Sequence, residues 1–116
     1  PVRVYDSRPG EAPTFIQPKS PTAVNEIRVI QTIANFSGVP LSANAVLINL
    51  TITGPQTRGF AAAWPTGPWP GTSSINFAAG QDIAATTLVG CGPSASIQVL
   101  SNAVTNFVVD VIGYYE

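Results

Sequence analysis

The sequence predicts an all-β fold: an antiparallel β-sandwich of jelly-roll or immunoglobulin-like kind, with about eight strands and an extended Pro-rich amino-terminal arm. Three observations carry this expectation. Apolar residues recur with a period of two, the mark of strands buried on one face. Glycine or proline stands in nearly every gap between these runs, where turns belong. Ten glycines and eleven prolines leave little room for a long helix.

The elements follow in order. Val2–Asp6 is a short strand-like run. Pro9–Val24 holds Pro9, Pro13, Pro18 and Pro21, and reads as an extended arm or surface loop, because proline cannot donate to a sheet ladder. A structureless stretch of that length is usually functional or exposed. Glu26–Ala34 is the next strand, closed by the Ser37-Gly38-Val39-Pro40 turn. Ala45–Thr53 alternates best: Val46, Ile48, Leu50 and Ile52 point one way, and Leu47, Asn49, Thr51 and Thr53 the other. Gly54-Pro55 ends it. Gly59–Trp64 runs into the Pro65–Gly71 turn, Ser73–Phe77 and Ile83–Leu88 follow, and Gly90–Pro93 leads to Ser96–Ser101. Asn106–Tyr115 is last. Short strands at this spacing argue for a sandwich or barrel. Residues 1–116 read as a single module, with 1–24 the strand plus arm and 25–116 the sandwich body.

Charge is the most unusual feature. Charged residues are 9% of the chain, against about 25% in an ordinary soluble domain. Most sit near the amino end: Arg3, Asp6, Arg8, Glu11, Lys19, Glu26 and Arg28. Between Arg58 and Asp110 there is only Asp82. Such a surface has little repulsion to hold copies apart. Five Lys and Arg in total offer no basic patch, so neither nucleic acid nor an anionic membrane is an expected partner. No apolar stretch approaches the ~20 residues of a membrane-spanning helix. The chain opens directly on a strand-like run, which reads as a processed product or an excised module.

Catalytic chemistry finds little support, and no enzyme activity, cofactor or metal site is expected. Histidine is absent, which removes the commonest general base and metal ligand. Cys91, between two glycines, has no internal partner for a disulfide and no neighbouring cation to activate it. Nothing in the spacing of the six carboxylates pairs them for glycoside hydrolysis. No Cys/His cluster, acidic calcium loop or Gly-rich phosphate loop occurs.

Three sets of residues stand out as candidate sites. Asp110 lies inside an apolar strand, so it is either exposed or paired. We expect the first and last strands to be neighbours, with Asp110 meeting Arg3 or Arg8 in a structural ion pair. Asn35 and Asn49 open Asn-x-Ser/Thr triplets and are possible glycosylation sites, and Thr14, Ser20, Thr22 and Thr72 are candidates for O-linked sugar. Trp64 and Trp69 flank a Pro-rich turn, and Tyr114 lies near the carboxyl end. These aromatics suit a core or cap, a contact between copies, or a platform for sugar rings.

Several segments are familiar together. Val2-Arg3-Val4-Tyr5-Asp6-Ser7-Arg8-Pro9-Gly10 is similar to the "VRVLDTRPG" opening of a module in secreted and surface proteins of actinobacteria and other environmental bacteria. Phe107 to Tyr115 resembles its "VVDVVGYY" close, and Gly38-Val39-Pro40 with Ala45 to Thr53 resembles its "GVP…AVVLNVTVT". Gly59-Phe60 with Trp64 to Gly67 resembles "GFLTVYPCG", and Ser74 to Phe77 with Gly80-Gln81 resembles "SNLNF…GQ". The resemblance implies an extracellular sandwich-like module, appended to hydrolases or repeated in tandem, with no established activity of its own. Thr66 and Ile97 stand where that family carries a cysteine pair, so this bridge is missing.

The resulting expectation is a secreted, non-catalytic structural module at the cell surface. Its partners would be other copies of itself, forming a fibre, sheath or tandem array, with the amino-terminal strand exchanged between copies and with attached glycan as options. The alternative is a carbohydrate-binding or cell-wall-attachment module of a secreted enzyme.

Overall fold

The strand over Ala45–Thr53 is the spine of the molecule. Val46, Ile48, Leu50 and Ile52 have no exposed surface, while the residues between them are half-buried. A computed structural model describes residues 1–116. Its strands are β1 (Val2–Asp6), β2 (Ile27–Gln31), β3 (Ala45–Thr53), β4 (Gly59–Trp64), β5 (Ile75–Phe77), β6 (Ile83–Gly90), β7 (Ser96–Ser101) and β8 (Asn106–Tyr115). A single 3-10 turn, Pro93–Ala95, joins β6 to β7.

Two four-stranded sheets stack face to face, ordered β1-β8-β3-β6 and β2-β7-β4-β5. Every pairing is antiparallel. The pairings are nested: β1 with β8, β2 with β7, β3 with β6 and β4 with β5. The chain is therefore one long antiparallel hairpin rolled on itself. Rolling brings β8 against β3 and β7 against β4, which closes the two sheets. This is the jelly-roll form of the sandwich.

The core lies between the sheets. The first contributes Val4, Tyr5, Ile48, Leu50, Phe107 and Val109, and the second Ile30, Ala61, Ile75, Phe77, Ile97 and Val99. Full burial of such an aliphatic side chain contributes about 1.5–3 kcal/mol, which makes this the main source of stability. Tyr5 and Phe107 meet with ring centroids 5.1 Å apart, joining the first strand to the last inside the core.

Strand ends differ from expectation where side chains leave the ladder. β2 stops at Gln31 rather than Ala34, because the Thr32 hydroxyl donates to the Ala95 carbonyl and the backbone then turns at Ala34–Ser37. β5 begins at Ile75 rather than Ser73, since the Ser74 hydroxyl accepts the Ala63 N–H across the loop. β6 runs on to Gly90, two residues beyond Leu88, because β3 pairs with it as far as Ala45. On β2 the faces are the reverse of what apolarity suggests. Arg28 and Ile30 point inward and are buried, and Ile27 and Val29 are exposed.

Buried Arg28 fastens the Pro-rich segment to the sandwich. Its guanidinium donates to Tyr5 Oη at 2.9 Å, Ser20 O at 2.7 Å, Pro21 O at 3.0 Å and Glu26 Oε2 at 2.9 Å. It also lies 6.0 Å from the Phe107 ring centroid. Tyr5 Oη in turn donates to Pro18 O, and a bridge between Thr22 and Thr105 pins the end of the segment. A lysine at position 28 has three donors and no fork, so it cannot serve these acceptors together. Arg28→Lys should lower unfolding stability by about 2–4 kcal/mol. Trypsin should then cut faster after Lys19, a change that melting and digestion time courses would both register.

Candidate functional site

The charged residues gather where β1 meets β8. Arg3 pairs with Asp110 in the ladder, and their side chains form a two-pronged contact, Arg3 Nε to Asp110 Oδ1 at 2.9 Å and Nη2 to Oδ2 at 3.3 Å. This hydrogen bonding raises the Arg3 guanidinium further above its ordinary value. Arg8 does not reach Asp110. It turns back onto Asp6, with Nη2 2.7 Å from Oδ2 and Nε 3.0 Å from Oδ1. The reason is local: the chain leaves the strand after Asp6, and the Arg8 N–H also donates to Asp6 Oδ1 at 3.0 Å.

Asp6 has no exposed surface, and burial alone would push its carboxyl upward. The side-chain and backbone bonds from Arg8 outweigh this and hold it below the usual carboxylate range. Glu26 is likewise lowered, chiefly by its bond to Arg28. Lys19 Nζ donates to the Asp6 carbonyl and, at 2.7 Å, to that of Glu11. Beside these pairs is a shallow depression of about 460 Å³ lined by Pro1, Arg3, Glu11, Ala12, Asn35 and Asp110. Its one arginine is already held by Asp110, so it offers polar acceptors rather than a free cation.

Asn35 belongs to this rim. Its side-chain amide donates to the Arg3 carbonyl at 2.9 Å. It sits in the Ala34–Ser37 turn, whose central residues Asn35 and Phe36 have φ of 54° and 55°. Two successive positive φ values define a mirror-image turn that favours glycine at the second place. Here a phenylalanine occupies it, 98% exposed. Asn49 lies half-buried on the outer face of the first sheet, between Thr86 and Asp110. Thr14, Ser20 and Thr72 are exposed, whereas Thr22 is buried by its bridge to Thr105 and is closed to modification.

The two tryptophans have different fates. Trp64 is buried on the outer face of the second sheet against Ala62 and Leu100, and its indole donates to Gly67 O at 2.9 Å. Trp69 folds back over that face, stacks on Phe60 at 5.3 Å and remains 40% exposed. Gln98, beside Trp64 in the ladder, has a buried side-chain oxygen without a hydrogen-bond partner. Tyr114 is part-exposed near the end of β8, opposite Val46. Burial pushes the Cys91 thiol up, which keeps it protonated and a poor nucleophile at neutral pH. No group of three or more potential metal ligands comes together, and no helix is long and apolar enough to cross a membrane.

Comparison with protein-family models, curated proteins and solved structures finds no match to this chain. The chemistry has to be read from the residues themselves. Sequence reasoning did not single out Arg28, Phe36, Phe60 or Gln98. Arg28 was hidden, since Ile27 and Val29 mark the opposite parity of its strand as the apolar face. Phe36 carried no signal, because only the backbone sign at Asn35-Phe36 makes it prominent.

The lowered carboxyls of Asp6 and Glu26 set an acid limit. Groups titrating lower when folded stabilise fully above their ordinary values of 3.8 and 4.5, and lose that contribution as pH falls through the folded values. Melting temperature should therefore drop steeply below about pH 4. Asp6→Asn should cost about 1–3 kcal/mol at neutral pH and flatten that acid slope. A series of thermal melts from pH 7 to pH 2 in both proteins reads the difference.

Proposed function

We propose that this chain is a non-catalytic structural module that assembles with copies of itself into an extracellular fibre, sheath or tandem array at a cell surface. One observation carries the proposal: the outer face of the second sheet has no charged side chain. Ile27, Val29, Gln31, Phe60, Ala62, Trp64, Asn76, Ser96, Gln98 and Leu100 make up that face. The protein has charges, but Arg3, Asp6, Arg8, Glu26, Arg28 and Asp110 are engaged with one another around the first strand. Little is left to keep neighbouring molecules apart.

Phe36 supports the same reading. A phenylalanine at positive φ costs about 1–3 kcal/mol and has nothing to bury against in the single chain. Such strain is reasonable where a second surface receives the ring. Exchange of residues 1–24 between copies would rebuild the same β1–β8 ladder and the same Arg28 clamp in a neighbour, and is one route to a chain of copies. Sugar on Asn49 or Asn35 would supply hydration that charge does not.

A second reading rests on the Phe60–Trp69 stack, with Asn76 opposite Phe60 in the ladder, and on the unpartnered Gln98 oxygen opposite Trp64 on the same sheet face. An exposed aromatic with nearby amide groups suits a sugar ring, as in an accessory module holding an enzyme to polysaccharide. It predicts saturable binding to cell-wall polysaccharide that Trp69→Ala abolishes, from a protein that stays monomeric.

Electron microscopy and sedimentation of the purified chain separate the two. Assembly should yield polymers whose abundance rises with concentration. Phe36→Gly relieves the strained turn, so the single chain should be at least as stable while assembly weakens. A solitary particle at millimolar concentration would remove the structural reading.

A further inference from the structure

We infer that the free edge of β6 is the contact through which two copies join, strand against strand, about a two-fold axis at Thr86. The inference rests on the self-assembly reading and assigns one of its contacts: edge pairing about a two-fold axis closes a pair of copies, and growth from pairs into an array uses a second surface. A jelly roll has four sheet edges: β1 and β6 in one sheet, β2 and β5 in the other. Unpaired edges are templates for other chains, and proteins commonly blunt them.

The edges are treated unequally here. β5 is three residues long and β2 is five. β1 is capped by side chains: the Asn35 amide donates to the Arg3 carbonyl, and Lys19 Nζ to the Asp6 carbonyl. β6 is eight residues long, has no charge and no proline, and makes backbone bonds only with β3 over Ile83–Val89. It has none of the usual protective devices.

The direction of its free groups follows from register. Facing residues in an antiparallel ladder alternate between pairs that exchange both backbone bonds and pairs that exchange none. Cys91 N–H donates to Asn44 O at 2.8 Å, just beyond the Ala45–Gly90 pair, which is therefore of the second kind. Stepping by twos, Leu88, Thr86 and Ala84 also exchange nothing with β3. Their N–H and C=O groups point to the open side. The same phase, carried across β8, turns outward the Arg3 and Asp6 carbonyls, which are the two that carry caps.

A second β6 laid antiparallel on this edge sets Thr86 against Thr86 and Leu88 against Ala84. Up to about six backbone bonds form, and all the outward groups of the three residues are used. Threonine facing threonine and leucine facing alanine are compatible cross-strand pairs, with no like charges to repel. Leu88, 58% exposed in the single chain, gains cover. The two sheets become one continuous eight-stranded sheet, and the partner is a second copy because no other strand is needed to complete the match.

Thr86→Pro tests this directly. It removes an N–H that β3 does not use, at a position where an edge tolerates proline. Thr86→Lys is the parallel variant, adding a charge that faces itself across the axis. Sedimentation velocity over a concentration series should show both variants folded by circular dichroism. The half-assembly concentration should rise roughly tenfold or more, equivalent to losing one or two net hydrogen bonds. In a Cys91→Ser background, Thr86→Cys should oxidise to a covalent dimer, while Thr51→Cys on interior strand β3 should not. Wild-type chain that assembles while both Thr86 variants assemble equally well, with no cross-link from Thr86→Cys, would overturn this edge and leave the self-assembly reading standing. Wild-type chain that stays monomeric throughout would overturn both.

Discussion

The guanidinium of Arg28 is the constraint on which the rest depends. It is a buried charge, and an unpaired one would be strongly destabilising. Every one of its donors must find an acceptor, and the acceptors come from three places. Glu26 supplies a carboxylate, Tyr5 a phenol oxygen, and Ser20 and Pro21 supply carbonyls. Satisfying the charge therefore fixes the Pro-rich segment against β2 and draws Tyr5 of β1 toward it. Tyr5 then packs on Phe107 of β8. One side chain thus ties the first strand, its following segment and the last strand into a single arrangement.

That economy of charge shapes the exterior. Arg3, Arg8 and Arg28 are each bound to a carboxylate, and Lys19 is turned inward onto carbonyls. The cations that a sandwich would ordinarily place on its edges and faces are used to hold residues 1–28. The strands after β2 then build faces and an edge from Gly, Ala, Thr, Ser, Asn, Gln and apolar residues, with Asp110 their one charge. Local packing and surface character are two outcomes of the same distribution of charge along the sequence.

The fold class and five of the eight strands lie where period-two alternation places them, and the other three differ only at their ends, because strands buried on one face leave that alternation in the sequence. β3 is the clearest case. The nested strand order was not legible, since nothing local encodes which of two sheets a strand joins. β2 misleads by its own alternation. Ile27 and Val29 mark an inner face by apolarity, yet Arg28 and Ile30 occupy it, because the clamp needs a cation inside. The Arg3–Asp110 contact was partly legible from an acid inside an apolar strand. The choice between Arg3 and Arg8 was not, as it depends on the register of two strands more than a hundred residues apart.

The contrast between the two edges of one sheet is the strongest argument that the free one is functional. An unprotected edge in isolation could be a neutral accident of composition. In this sheet, however, the chain caps outward carbonyls on β1 with Asn35 and Lys19, each reaching from outside the strand to do so. The same protection on β6 would need only one lysine at Ala84, Thr86 or Leu88, positions whose side chains are exposed and unconstrained by packing. Thermodynamics places no obstacle in the way of such a residue, since surface changes of this kind alter stability by about half a kcal/mol at most. Exposure of a long, uncharged, self-complementary strand beside a carefully closed one favours a directed contact between copies. General stickiness would leave both edges alike.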